Sequence, residues 1–74
     1  MSSEQLERLS YGLLLLQEIL QGYDNNNYRT RTLYILMGVK NSELTSKLML
    51  WASRGYSTSE LLTFLENLIE RSAK

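Results

Sequence analysis

A chain of 74 residues with no net charge at pH 7 and a hydrophobic fraction of 43% has the composition of one small globular domain, which we assign to residues 1–74. Cysteine and histidine are absent, which excludes disulfides, thiolate zinc sites and a histidine general base. The residues before the leucine run 13–16 are acidic rather than basic, so we expect no signal peptide, and no apolar run is long enough to span a membrane. We therefore expect a cytoplasmic protein that is not an enzyme and needs no metal or cofactor.

The first predicted element is a helix that begins at Ser2, a typical N-cap residue, and ends at Gly22, a typical C-terminal stop. Apolar residues recur in it at alternating steps of three and four, as in the seam of a helical bundle: Leu6, Leu9, Leu13, Leu16, Leu20 and Tyr23. Leu14, Leu15 and Ile19 lie off this seam. The apolar surface is thus wider than one neighbouring helix requires, and either several helices of the same fold or a second chain bury it.

The second predicted element follows the turn-forming residues 24–27, and we expect Asn26 or Asn27 to cap it. Residues 28–37 include three β-branched side chains and would also suit a strand. A strand needs a partner, and no other stretch alternates in steps of two. A second helix is therefore predicted here, with a strand as the alternative.

Residues 38–41 form the predicted turn into a third helix. Gly38 suits a left-handed residue at the end of a helix, and Asn41 or Ser42 suits the N-cap of the next one. The turn and the leucines that follow have the spacing of a helix-turn-helix DNA reader, although Tyr34 occupies a position where such readers usually carry a small residue. Bundle packing and DNA reading both remain open for this pair of helices.

The connection to a fourth helix carries three local signals. Gly55 suits a left-handed C-terminal residue, with Tyr56 packing back on Trp51. Ser57 and Glu60 have the spacing of a capping box, and Tyr56 precedes it as the outer member of a hydrophobic staple. The sequence therefore predicts an all-α fold, a compact bundle of four short helices with a tight helical hairpin between helices 3 and 4.

The leading functional hypothesis is a small regulatory or adaptor module that works by protein–protein interaction. The apolar surface of the first helix is wide, and large rings such as tyrosine are favoured at binding hot spots. We expect it to bind a protein partner or a second copy of itself, as a homodimer, through an apolar helical face. The candidate interface residues are Tyr11, Leu14, Leu15, Ile19 and Tyr34.

The alternative hypothesis is a small helix-turn-helix DNA-binding transcriptional regulator. The net charge is −3 over residues 1–28, +4 over residues 29–54 and −1 over the remainder, so the basic middle coincides with the possible DNA-reading pair. The candidate nucleic-acid contacts are Arg29, Arg31, Lys40, Ser42, Lys47 and Arg54. Self-association explains the same pattern equally well, with acidic helices of one copy facing basic helices of another. Neither a membrane nor a small-molecule substrate is expected as a partner.

Overall fold

The computed structural model describes residues 2–73, which form an all-α fold of four helices. Helix α1 spans Ser3–Leu20, α2 spans Asn26–Met37, α3 spans Ser42–Ala52 and α4 spans Thr58–Ser72. The predicted all-α fold is confirmed, and residues 28–37 are helical rather than extended. Helix α1 contacts α2 and α4, and α3 contacts the same two helices, so the bundle closes as a ring around one core.

Polar side chains cap the starts of three helices where the sequence predicts them. The Ser2 hydroxyl accepts a hydrogen bond from the amide of Gln5 at 3.2 Å, and the Ser57 hydroxyl accepts one from the amide of Glu60 at 3.0 Å. Asn41 Oδ1 accepts one from the amide of Leu44, in the first turn of α3, at 2.9 Å. Each bond satisfies one of the amides that have no partner within the first turn.

The N-cap of α2 is Asn25, and the prediction of Asn26 or Asn27 is wrong. Asn25 has the extended backbone of a cap residue, with φ −140° and ψ 169°, and its Oδ1 accepts from the amide of Tyr28 at 3.0 Å. Asn26 and Asn27 already belong to the helix. Helix α2 therefore begins at Asn26, one residue earlier than it would with Asn26 as its cap.

Gly38 is not the left-handed residue that the sequence predicts. Its φ of −75° and ψ of −10° are helical. A Cβ there would displace the guanidinium of Arg8, the flexible end of a side chain, whose Nη1 donates to the carbonyl oxygen of Ile35 at 3.1 Å. Arg8 thus fastens α1 to the last turn of α2.

Helix α3 ends in a Schellman motif whose left-handed residue is Arg54, not Gly55. The amide of Arg54 donates to the carbonyl oxygen of Trp51 at 3.1 Å, and the amide of Gly55 donates to that of Leu50 at 2.7 Å. The φ of Arg54 is 69°, in a region that residues with a side chain rarely adopt. The predicted position is therefore wrong by one residue, and the chain carries a strained arginine at the surface.

The core consists of leucines from all four helices packed with Trp51. Its fully buried leucines are Leu9, Leu16, Leu36, Leu44, Leu48, Leu61 and Leu65. Trp51 is 1% exposed, and its indole Nε1 donates to Thr58 Oγ1 at 3.0 Å. This buried hydrogen bond joins the end of α3 to the first turn of α4, and the sequence gives no sign of it.

The buried face of α1 is rotated relative to the predicted seam. Leu20 and Tyr23 are 48% and 55% exposed, although both belong to that seam. Leu15 and Ile19, which lie off it, are buried. The physical reason is Gly12. Because this residue has no side chain, the buried Leu36 of α2 packs closely against this side of α1, where a Cβ would collide with it.

Candidate functional site

Three of the five predicted interface residues are on the surface, and two are in the interior. Tyr11, Leu14 and Tyr34 are 43%, 50% and 76% exposed, whereas Leu15 and Ile19 are only 2% and 3% exposed. A side chain that its own chain covers cannot contact a partner without unfolding. Leu15 and Ile19 are therefore buried residues of α1, and their prediction as interface residues is wrong.

The exposed interface residues belong to two stripes on the outside of α1 and α2. On α1 the exposed positions follow one another in steps of three, four and three, and we call them the outer stripe of α1: Glu4, Glu7, Tyr11 and Leu14. On α2 the steps are four and three, and we call these positions the outer stripe of α2: Asn27, Arg31 and Tyr34. Each stripe combines an apolar ring with charge, and the two stripes carry opposite charge.

The two stripes belong to neighbouring, antiparallel helices. Arg8 donates to the carbonyl of Ile35, and Gly12 lies against Leu36, so the first half of α1 is beside the second half of α2. Within residues 2–73, no ion pair involves the carboxylates of the α1 stripe or the guanidinium of Arg31. The charges of both stripes are therefore available to another molecule.

Two of the candidate nucleic-acid contacts are engaged by Asp24. Arg29 donates to the two carboxylate oxygens of Asp24 at 2.6 and 3.3 Å, and its guanidinium lies 4.7 Å from the ring centroid of Trp51. Arg54 Nη1 is 4.0 Å from the same carboxylate. The hydrogen bond from Arg29 lowers the pKa of Asp24, so this carboxylate stays ionised. Both arginines sit beside a small cavity of about 190 Å³ between α2 and α3.

A third candidate, Lys47, lies over aromatic rings of its own chain. Its Nζ is 5.0 Å from the ring centroid of Tyr56 and 5.3 Å from that of Phe64. Arg31, Lys40 and Ser42 are exposed. Half of the predicted nucleic-acid contacts thus have partners within the chain, and the DNA-reading hypothesis stays a prediction that rests on the other half.

An open groove of about 870 Å³ lies between α3 and α4, and sequence reasoning missed it. Its walls carry Lys47, the rings of Tyr56 and Phe64, and glutamates from both helices. The one local signal is the placement of Glu60 and Phe64 four residues apart, which puts a carboxylate and a ring on one face of α4. The groove itself depends on how α3 packs beside α4, and no pattern within one helix shows that.

Two other kinds of site are not found in the part of the chain that the structure describes. Residues 2–73 contain no group of three or more acidic side chains arranged to hold a metal ion. No helix among them is both long enough and apolar enough to cross a membrane. Comparisons with known protein families, with curated proteins and with solved structures found nothing that matches this chain.

Proposed function

We propose that this protein is a small interaction module that binds a second copy of itself through the outer stripes of α1 and α2. The observation that carries the proposal is the combination of exposed apolar side chains with unpaired charge of opposite sign on adjacent helices. The α1 stripe places Tyr11 and Leu14 beside two glutamates, and the α2 stripe places Tyr34 beside Arg31.

A two-fold axis brings the outer stripes of α1 and α2 of both copies into contact at the same time. If α1 of one copy lies along α2 of the other, the symmetry repeats the contact with the roles exchanged. Because α1 and α2 are antiparallel within one copy, α1 is also antiparallel to α2 of the other copy. Tyr34 of one copy then lies on Tyr11 of the other, and Arg31 lies beside Leu14, with the glutamates beyond Tyr34. Tyrosine suits such a contact because its ring buries a large area while its hydroxyl stays hydrated.

The size of the chain favours a second copy as the partner. A domain of 74 residues buries a smaller fraction of its surface than a larger domain does, so its core only just offsets chain entropy. Association that covers further apolar surface stabilises the folded state by mass action. A dimer whose population follows protein concentration suits a regulatory or adaptor role.

Charged substitutions at this contact test the arrangement directly. One chain carries Leu14→Arg, and a second carries Arg31→Glu. Leu14→Arg alone should sediment as a monomer, because both symmetry-related contacts would place a second cation beside Arg31. Its equimolar mixture with the Arg31→Glu chain should form a heterodimer, because one contact then joins opposite charges and the other is unchanged. Sedimentation velocity at low and at physiological salt measures the masses.

The matched control is Glu66→Lys, which reverses an exposed carboxylate of α4 outside both stripes. It should sediment as the unchanged protein does, and circular dichroism should show the same helicity for all variants. An unchanged protein that stays monomeric at every concentration would contradict self-association. A mixture of the Leu14→Arg and Arg31→Glu chains that fails to associate would contradict the proposed pairing of α1 with α2.

A further inference from the structure

The groove between α3 and α4 already holds a cation of its own chain. The Lys47 ammonium sits over the rings of Tyr56 and Phe64, at 5.0 and 5.3 Å from their centroids. Such a cation is attracted by the negative face of each ring. The contact shows that the two rings present a surface suited to an alkylammonium group.

The carboxylates of the groove are not used by this lysine. Glu43 precedes Lys47 by four residues on α3, the spacing at which glutamate and lysine pair on an exposed helix. Within residues 2–73, however, neither Glu43 nor the groove residues Glu60 and Glu70 form an ion pair. The groove therefore combines a ring site for an ammonium with three unpaired carboxylates, and besides Lys47 its one other cationic lining residue is Arg71.

We infer that this groove binds a lysine-rich segment of a partner protein, with one lysine of the partner displacing Lys47 from the rings. Further lysines of the segment pair with the glutamates of the groove. The lining of α4 runs from Ser59 to Arg71, a rise of about 18 Å, which accommodates about five residues of extended peptide. Lys47 then acts as an intramolecular competitor that lowers the affinity for the segment.

This inference concerns α3 and α4 and does not depend on the proposed dimer, whose stripes lie on α1 and α2. The two can fail separately. A chain that never dimerises can still bind a basic segment, and a dimer can form while the groove stays empty.

The experiment is a titration of the unchanged protein with acetylated, amidated octalysine at low salt, followed by NMR. Octaglutamate of the same length serves as the opposite-charge probe. Amide signals should shift along the walls of the groove, centred on Phe64. The side-chain methylene protons of Lys47, which the two rings shield in the free protein, should move to the shifts of a solvated lysine as the site saturates.

A pair of lysine substitutions separates competition from overall charge. Lys47→Ala should raise the affinity for octalysine about two- to five-fold, because it empties the ring site. Lys40→Ala removes the same charge from an exposed position outside the groove and should change the affinity much less. Phe64→Leu should lower the affinity by a similar two- to five-fold factor.

Because Phe64 also packs against the core, a second variant guards against loss of the fold. The double substitution Glu60→Gln with Glu70→Gln changes exposed side chains only and should lower the affinity as well. Lys47 signals that remain shielded at saturating octalysine would overturn the inference. Equal gains from Lys47→Ala and Lys40→Ala would overturn it too, since overall charge alone would then explain the binding.

Discussion

At the scale of single residues, Arg54 shows the sharpest conflict between residue type and backbone. A left-handed conformation costs a residue with a Cβ about 1–2 kcal/mol. The side chain of Arg54 is 63% exposed, and its Nη1 lies as far as 4.0 Å from the carboxylate of Asp24. This ion pair therefore contributes little to the stability of the fold. We expect Arg54→Gly to raise the free energy of unfolding by about 1 kcal/mol, measured by urea denaturation at one fixed protein concentration.

Gly22 provides the matched control for this prediction. It is the left-handed residue at the end of α1, with φ 124°, and a Cβ built there would meet no atom within 4 Å. Gly22→Ala should therefore lower the free energy of unfolding by about 1 kcal/mol, through the backbone alone. If Arg54→Gly is destabilising as well, the arginine side chain contributes more than its strained backbone costs.

The glycines also show which structural features can be predicted from the local sequence and which cannot. Gly22 is predicted correctly, because a helix end with turn formers behind it is a local pattern. Gly12 lies against the buried Leu36, where a Cβ would collide, and Gly38 lies against the guanidinium of Arg8. Those neighbours are more than twenty positions away along the chain, so only the folded structure reveals these contacts.

At the scale of elements, the helix starts are predicted well because capping involves residues three apart. Ser2, Asn41 and Ser57 each cap the helix expected of them. The start of α2 is missed because three consecutive asparagines suit the cap equally well on local grounds. The buried face of α1 is missed for a similar reason. Residues 13–16 are all leucine, and two different faces satisfy the same three-and-four spacing.

The junction of α3 and α4 depends on one buried hydrogen bond, from Trp51 Nε1 to Thr58 Oγ1. Thr58→Val keeps the shape of the side chain and removes the acceptor, which leaves a buried indole N–H without a partner. The free energy of unfolding should fall by about 1–3 kcal/mol. Urea denaturation followed by fluorescence measures this at the site itself, because Trp51 is the only tryptophan of the chain.

Thr58→Ser is the control for the junction, since it retains the hydroxyl and loses one methyl group. Its loss of stability should be clearly smaller than that of Thr58→Val, and its tryptophan emission should match that of the unchanged protein. Equal stability losses for the two variants would show that the methyl group, and not the hydrogen bond, joins α3 to α4.

At the scale of the whole molecule, the ring of four helices separates two surfaces with different chemistry. The α1–α2 side presents Tyr11, Leu14 and Tyr34 with charges of both signs. The α3–α4 side presents two aromatic rings in a groove whose charged residues are three glutamates, one lysine and one arginine. The two proposed sites lie on different sides of the molecule, so occupation of one would leave the other accessible. The sequence predicts only three residues of the first surface correctly as exposed, Tyr11, Leu14 and Tyr34, and the second surface exists only where two helices meet.

The distribution of charge over the folded molecule leads to the last prediction, which concerns DNA. The middle of the chain has a net charge of +4, but Arg29 and Arg54 share the carboxylate of Asp24 and Lys47 lies on aromatic rings. A protein with few free cations and no net charge releases few counterions from a duplex. We expect the fluorescence anisotropy of a labelled mixed-sequence duplex to stay flat at physiological salt.

Two variants make this test decisive about the cause. If the ion pairs with Asp24 keep Arg29 and Arg54 from contacting phosphates, the Asp24→Asn variant should bind the duplex at low salt more tightly than the unchanged protein does. Lys40→Glu removes an exposed cation at the turn before α3. Binding by the unchanged protein that weakens steeply with salt, and that Lys40→Glu abolishes, would contradict the prediction. The helix-turn-helix reading would then become the leading one, with the exposed Lys40, Ser42 and Arg31 as its contacts.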